Sequence, residues 1–178
     1  MANETTADKS LRPAPGVTTF RRIVTGHSGE GKAIFLEDRI CPNAFCMGND
    51  DAFVCTDLWR TEKTPADNSG EYEDPTTDFN LTPSPCGTVF RILEIPPLHQ
   101  PGAKSGVLMH RTSSVDYAMV LKGEAVAILD DGAETVMGEG DVLIQRGTLH
   151  GWDNRTDRPV IILFVLCGAG ELPGLPAC

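Results

Sequence analysis

The sequence predicts an all-β fold, a sandwich or a barrel. Three observations predict it. Short runs of β-forming residues recur every ~8–12 residues with turn signals between them. No segment sustains a 3.6-residue apolar period over three turns. Glycine and proline number 18 and 13 in 178 residues, a share that favours short elements and many turns over long helices.

The elements follow in order. Residues 1–17 are polar, contain Pro13 and Pro15, and are expected to form a flexible arm. Thr19–Thr25 reads as a strand, His27–Gly31 as a turn and Lys32–Leu36 as the returning strand. Glu37–Asp51 reads as irregular, and Ala52–Thr61 as another strand. Residues 62–86 carry four prolines and, before Asn80, seven acidic or amide side chains. They read as a long surface loop, a feature that often serves as a lid or binding loop; its stretch Glu71–Asp74 is expected to be hydrated. Val89–Ile95 alternates and is closed by Pro96-Pro97. Ala118–Leu129 is dense in β-formers and broken at Lys122-Gly123-Glu124. Asp130-Asp131-Gly132 signals a tight turn, after which Glu134–Met137 and Asp141–Gln145 continue the series. Val160–Cys167 is apolar on both faces, so it reads as a buried strand. The chain thus divides into an arm (1–17), N-terminal strands and loop packing on a barrel (18–86), and the barrel core with a C-terminal tail (87–178).

Composition narrows the function. On a prior of ~150 residues per domain, the length fits one domain with tails. Lys+Arg total 15 against 25 Asp+Glu, a net charge of −10. That balance argues against a nucleic-acid partner and against a polybasic membrane anchor. The N-terminus lacks the apolar stretch of a secretory signal, and no apolar run is long enough to span a bilayer. A cytoplasmic protein with a small-molecule partner is expected. None of the six cysteines forms a CxxC pair, which argues against a zinc knuckle. In a reducing compartment they act as small apolar residues; the alternative is a disulfide joining Cys41 or Cys46 to Cys55.

Two segments carry chemistry. The first runs Gly106-Val-Leu-Met-His110-Arg-Thr112-Ser-Ser-Val-Asp116 and on to Gly123. The second runs Gly140-Asp-Val-Leu-Ile-Gln145-Arg-Gly147-Thr-Leu-His150-Gly-Trp152-Asp-Asn154. Side chains two apart on a strand share a face. His110, Thr112, Ser114 and Asp116 therefore have one parity, and His150, Trp152 and Asn154 another. If the strands line a small barrel, both faces point inward and converge. Arg91 has the phase of an apolar face. It is read either as a structural salt bridge or edge residue, or as a clamp for a carboxylate, enolate or phenolate. Trp152 is read as core packing or as an aromatic wall of the site. Tyr117 and Met119 have the opposite parity to Asp116 and are expected on the other face, at a subunit contact. His27 and His99, beside turns, are expected to be solvated.

In order and in spacing, the two segments resemble the paired motifs of the cupins, over roughly residues 87–167. Thr112 stands where the family has a second histidine, Asp116 where glutamate is usual, and Gln145 where proline is usual. The Gly140–Gly147 spacing is one residue short. The resemblance implies a double-stranded β-helix (jelly-roll) barrel with an N-terminal strand extension, and a homodimer. It also implies an enzyme of lyase or isomerase type acting on an organic acid or polyketide-like compound by dehydration, decarboxylation, isomerisation or cyclisation. In that reading His110 and His150 are acid and base, Asp116 orients one of them, and Arg91, Thr112, Trp152 and Asn154 bind substrate. The first alternative is a metal-dependent dioxygenase with one divalent ion (Fe, Zn, Mn or Ni) on His110, Asp116 and His150, the pocket otherwise being metal-free. The second is a ligand-binding cupin without catalysis.

Overall fold

A computed structural model describes residues 17–47, 53–69, 71–102 and 106–174. The expected arm lies, but for Val17, outside the described residues. The strands are β1 (Arg21–His27), β2 (Ala33–Ile40), β3 (Ala44–Met47), β4 (Phe53–Thr61), β5 (Thr88–Ile95), β6 (Ser114–Lys122), β7 (Ala125–Ile128), β8 (Glu134–Met137), β9 (Val142–Arg146), β10 (Gly151–Asp153) and β11 (Val160–Gly168). Among the described residues the helical content is a single 3-10 turn at Asp130–Gly132, where the tight turn was expected. No helix among them is long and apolar enough to cross a membrane.

Among the described residues every strand pairing is antiparallel, and the pairings build three sheets. Six strands run in the order β3-β4-β5-β11-β6-β9, three in the order β10-β7-β8, and β1 and β2 form a separate hairpin. The six- and three-stranded sheets are the two layers of a double-stranded β-helix. Their shared core joins Val89, Ile95, Ala118, Val120, Ile162 and Phe164 of the larger sheet to Ala125, Ala127, Met137 and Trp152 of the smaller. The alternation expected along β6 is clear: Ser114, Asp116, Ala118 and Val120 are buried, while Tyr117 and Met119 are exposed. Two motif glycines close turns in the left-handed region, Gly123 at φ 84° and Gly147 at φ 60°, where a side chain would be strained.

Two sequence expectations are corrected here. Residues 37–51 are not wholly irregular. β2 continues to Ile40 because that residue pairs with Arg21, and Ala44–Met47 form a strand because they pair with β4. Cross-strand hydrogen bonds decide both cases, and local propensity does not report them. The disulfide alternative also fails. Cys41 and Cys55 are buried thiols. Cys41 Sγ donates to the Asp57 carbonyl at 3.3 Å, and Cys55 Sγ lies 3.7 Å from Met47 Sδ.

The loop 62–86 is tied down rather than merely hydrated. Arg22, buried on β1, donates to both carboxylate oxygens of Glu37 on β2, at 2.6 and 3.0 Å. The same guanidinium reaches the Leu58 carbonyl of β4 (3.3 Å), Thr76 Oγ1 (3.2 Å) and the carboxylate of Asp74. Tyr72 donates to Glu37 at 2.8 Å and stacks on Trp59. Hairpin, sheet and loop therefore meet at one cation. Its ion pairs hold Asp74 and Glu37 well below the usual carboxylate range despite their burial.

Candidate functional site

The site is built where the two motif segments meet. His110 and His150 form an antiparallel bridge: His110 N donates to the His150 carbonyl at 2.8 Å, and His150 N to the His110 carbonyl at 2.9 Å. Directly opposed residues project to the same side, and the two imidazoles lie 4.2 Å apart between centroids. Each ring is anchored alike. His110 Nδ1 lies 3.2 Å from the Leu108 carbonyl and His150 Nδ1 lies 2.9 Å from the Thr148 carbonyl, in each case two residues back. A carbonyl only accepts, so both Nδ1 atoms carry the hydrogen. In the neutral rings the lone pair then sits on Nε2.

Asp116 reaches this cluster from β6. Ser114 Oγ donates to its Oδ1 at 2.6 Å and lies 2.8 Å from Thr112 Oγ1. Gln145 stands directly across from Asp116 in the β6–β9 register. Its amide Nε2 donates to Asp116 Oδ2 at 2.8 Å and contacts His150 Nε2 at 3.0 Å. With the hydrogen of His150 on Nδ1, both contacts are donated by the amide. The Gln145 Oε1 is buried and without a hydrogen-bond partner. Burial raises the Asp116 carboxyl above its ordinary value, against the Ser114, Gln145 and Thr112 hydrogen bonds. Burial, helped by neighbouring His110, lowers the His150 imidazole to about 4, against the pull of the Thr148 carbonyl. His150 is therefore neutral in the fold at neutral pH.

A cleft opens over the cluster. It encloses about 430 Å³, part of it open to solvent, and is lined by His110, Thr112, Asp116 and His150 together with apolar walls from Leu93, Trp152, Phe164 and Leu166. Trp152 packs edge-on against Phe164, with centroids 5.5 Å apart, so it is both core and wall. Leu81, from the long loop, closes one side. Polar groups converging in a largely apolar concavity are the usual form of a small-ligand site.

Arg91 also lines the cleft, with its charge already met. Nε and Nη2 hold the two oxygens of Asp57 at 2.8 and 3.1 Å, and the Asn80 and Leu81 carbonyls accept two further bonds at 2.8 and 3.2 Å. The salt-bridge reading therefore describes Arg91, and a free clamp does not. Asp57 was not singled out from sequence. It sits on β4 opposite Arg91 and is fully buried, and that strand pairing has no local signal.

Asn154 is a second correction. Its amide donates to the Ile95 and Arg158 carbonyls at 3.0 and 2.7 Å, and its Oδ1 accepts from Thr156, so it fixes a turn and does not line the cleft. β10 ends at Asp153, so strand parity does not extend to residue 154. His99 is not simply solvated: its Nε2 lies 2.8 Å from Asp153 Oδ1.

The residues named for a metal do not fit one in this arrangement. Among the described residues no group of three His, Cys, Asp or Glu is placed to hold an ion. The Gln145 amide adds to this, because it occupies the one lone pair of His150 Nε2 that an ion would need.

Comparison with known proteins identifies the family. A family profile described as a cupin domain matches residues 99–166. The cupin-domain-containing oxidoreductase virC of Hypocrea virens is 33% identical over 168 residues, 93% of this chain and 77% of that protein. The phomopsin biosynthesis cluster protein C' of Diaporthe leptostromiformis is 35% identical over 158 residues, 84% of this chain and 78% of that one. A solved protein with a double-stranded β-helix domain from Klebsiella pneumoniae aligns with a TM-score of 0.48 at 15% identity, covering 75% of this chain and 89% of its own. With both motifs meeting inside a two-layered β-barrel, and relatives matched along nearly its whole length, this chain belongs to the cupin family.

Proposed function

We propose that this cupin is a small-molecule biosynthetic enzyme that moves protons on a carbonyl-bearing organic acid or polyketide-like substrate. Dehydration, isomerisation and cyclisation can each begin with removal of a proton beside the carbonyl, and decarboxylation ends with delivery of a proton to the carbon that has lost CO2. One observation carries the reading: two imidazoles, 4.2 Å apart at a cleft, each tied through Nδ1 to a backbone carbonyl. That anchoring places the lone pair of each neutral ring on Nε2. His110 takes the proton from substrate carbon. His150 is already engaged by Gln145, and it holds the second imidazole position neutral beside His110. Asp116 acts through the Gln145 amide, which orients His150. Trp152, Phe164 and Leu166 hold the apolar part of the substrate, Thr112 offers a hydroxyl, and Arg91, neutralised by Asp57, shapes the wall. The cluster membership of the Diaporthe relative supports a biosynthetic setting.

Incubation with simple β-keto acids and ketones in D2O tests this, with mass spectrometry reading deuterium uptake or decarboxylation. Loss of general-base catalysis in His110→Ala is expected to slow the reaction by about 10²–10⁴-fold. Wild-type rates in both His110→Ala and His150→Ala would overturn the roles.

The name of the Hypocrea relative, a cupin-domain-containing oxidoreductase, favours a second reading: a metal-dependent dioxygenase. Cupins often bind a divalent metal and some bind none. Near-stoichiometric Fe, Zn, Mn or Ni in the purified protein would carry that reading. Less than about a tenth of an equivalent after reconstitution would end it.

A further inference from the structure

A second cavity is lined in part by Thr112 and Ser114, and shares Thr112 with the histidine cleft. It encloses about 480 Å³, part of it open to solvent, and is lined by Arg111, Arg146, Val115, Ala169, Glu171 and Leu172, among others. Its two arginines stand apart from the rest. Every other described arginine has a carboxylate within salt-bridge reach. Among the described residues Arg111 and Arg146 have none, and Arg111 Nε is buried without a hydrogen-bond partner. Glu171 lines the same cavity and forms no salt bridge with either among the described contacts.

In a chain of net charge −10, acidic groups outnumber basic ones, yet two guanidiniums share this cavity with no partnered carboxylate. Like charges in one concavity repel, and an entering anion relieves that repulsion while accepting N–H donors already in place. Val115, Ala169 and Leu172 add apolar surface beside them.

We propose that this cavity is a second ligand site, for the carboxylate of a small organic molecule whose short apolar body lies on Val115, Ala169 and Leu172. The site adjoins the histidine cleft at Thr112, which lines both, but it uses none of the histidines and does not depend on the reaction assigned there.

The test is titration of the purified protein with hexanoate and with inorganic phosphate, followed by calorimetry. Hexanoate binds saturably and more tightly than phosphate. Arg146→Ala, at an exposed position, and Arg111→Gln each weaken it by about tenfold or more. Glu171→Gln tightens binding, and His110→Ala leaves it unchanged. Absence of saturable binding of either anion up to about 10 mM would overturn the proposal. So would undiminished affinity in both arginine variants, or loss of binding in His110→Ala, which would place the ion in the inner cleft. Phosphate binding as tightly as hexanoate would overturn the apolar part of the assignment.

Discussion

At the scale of single residues, the neutral state of His150 has a consequence for stability. Its imidazole takes up a proton near 6.5 when unfolded and near 4 when folded, chiefly because burial disfavours the cation. Between those values the unfolded chain binds more protons, so stability falls as pH drops through that window. Asp116 works in the opposite sense. Its raised carboxyl adds stability as pH falls and loses it as pH rises through the folded value, which offsets part of the acid end. Denaturant unfolding at about pH 7 and pH 5 is expected to show a loss of roughly 2 kcal/mol in the wild type, before that offset. His150→Gln should flatten the difference; an equal loss in the variant would show that another group is responsible. Much of this cluster is legible in sequence. His110, His150, Asp116 and Trp152 follow from motif order and strand parity. Gln145 is visible there only as a departure from a motif, because its role depends on facing Asp116 across β6 and β9.

At the scale of elements, the inner face of the large sheet carries a buried ion cluster. Asp57 on β4 balances Arg91 on β5 and also lies 3.4 Å from Arg60. Replacing it by asparagine leaves two buried guanidiniums without their counter-charge. Asp57→Asn is expected to destabilise the fold by about 3–5 kcal/mol, read as a lower midpoint of urea unfolding. A change within ~0.5 kcal/mol, the range of ordinary surface substitutions, would show the cluster to be dispensable. Here the sequence is half legible. The phase of Arg91 signals a guanidinium on an apolar face, but its partner lies 34 residues away in sequence. Asn154 fails for the complementary reason: parity holds only inside a strand, and the strand has ended. The seats of Tyr72 and Asp74 on Arg22 depend on the path of a long loop, for which no periodicity exists to be read.

At the scale of the whole molecule, the outer face of the large sheet has an unusual composition. Tyr117 and Met119 of β6 are exposed, as are their cross-strand partners Ile144 and Val142 on β9. β9 is also the last strand of its sheet, so its outer backbone edge has no strand partner within the described sheet. Contiguous apolar side chains beside an open edge are a usual mark of association. We propose that a second copy covers this face, giving the homodimer expected from sequence. Sedimentation velocity should report a dimer in the wild type and a monomer in Tyr117→Lys combined with Ile144→Lys. A monomeric wild type at micromolar concentration would remove the proposal.

The contacts of Arg22 reach further than its position on the separate hairpin suggests. The segment it fastens through Asp74 and Thr76 continues to Asn80 and Leu81, which cap Arg91 and close one flank of the cleft. A disturbance in the outlying ribbon is thus transmitted along this segment to the mouth of the binding chamber, and the seat of the segment helps to decide what fits inside.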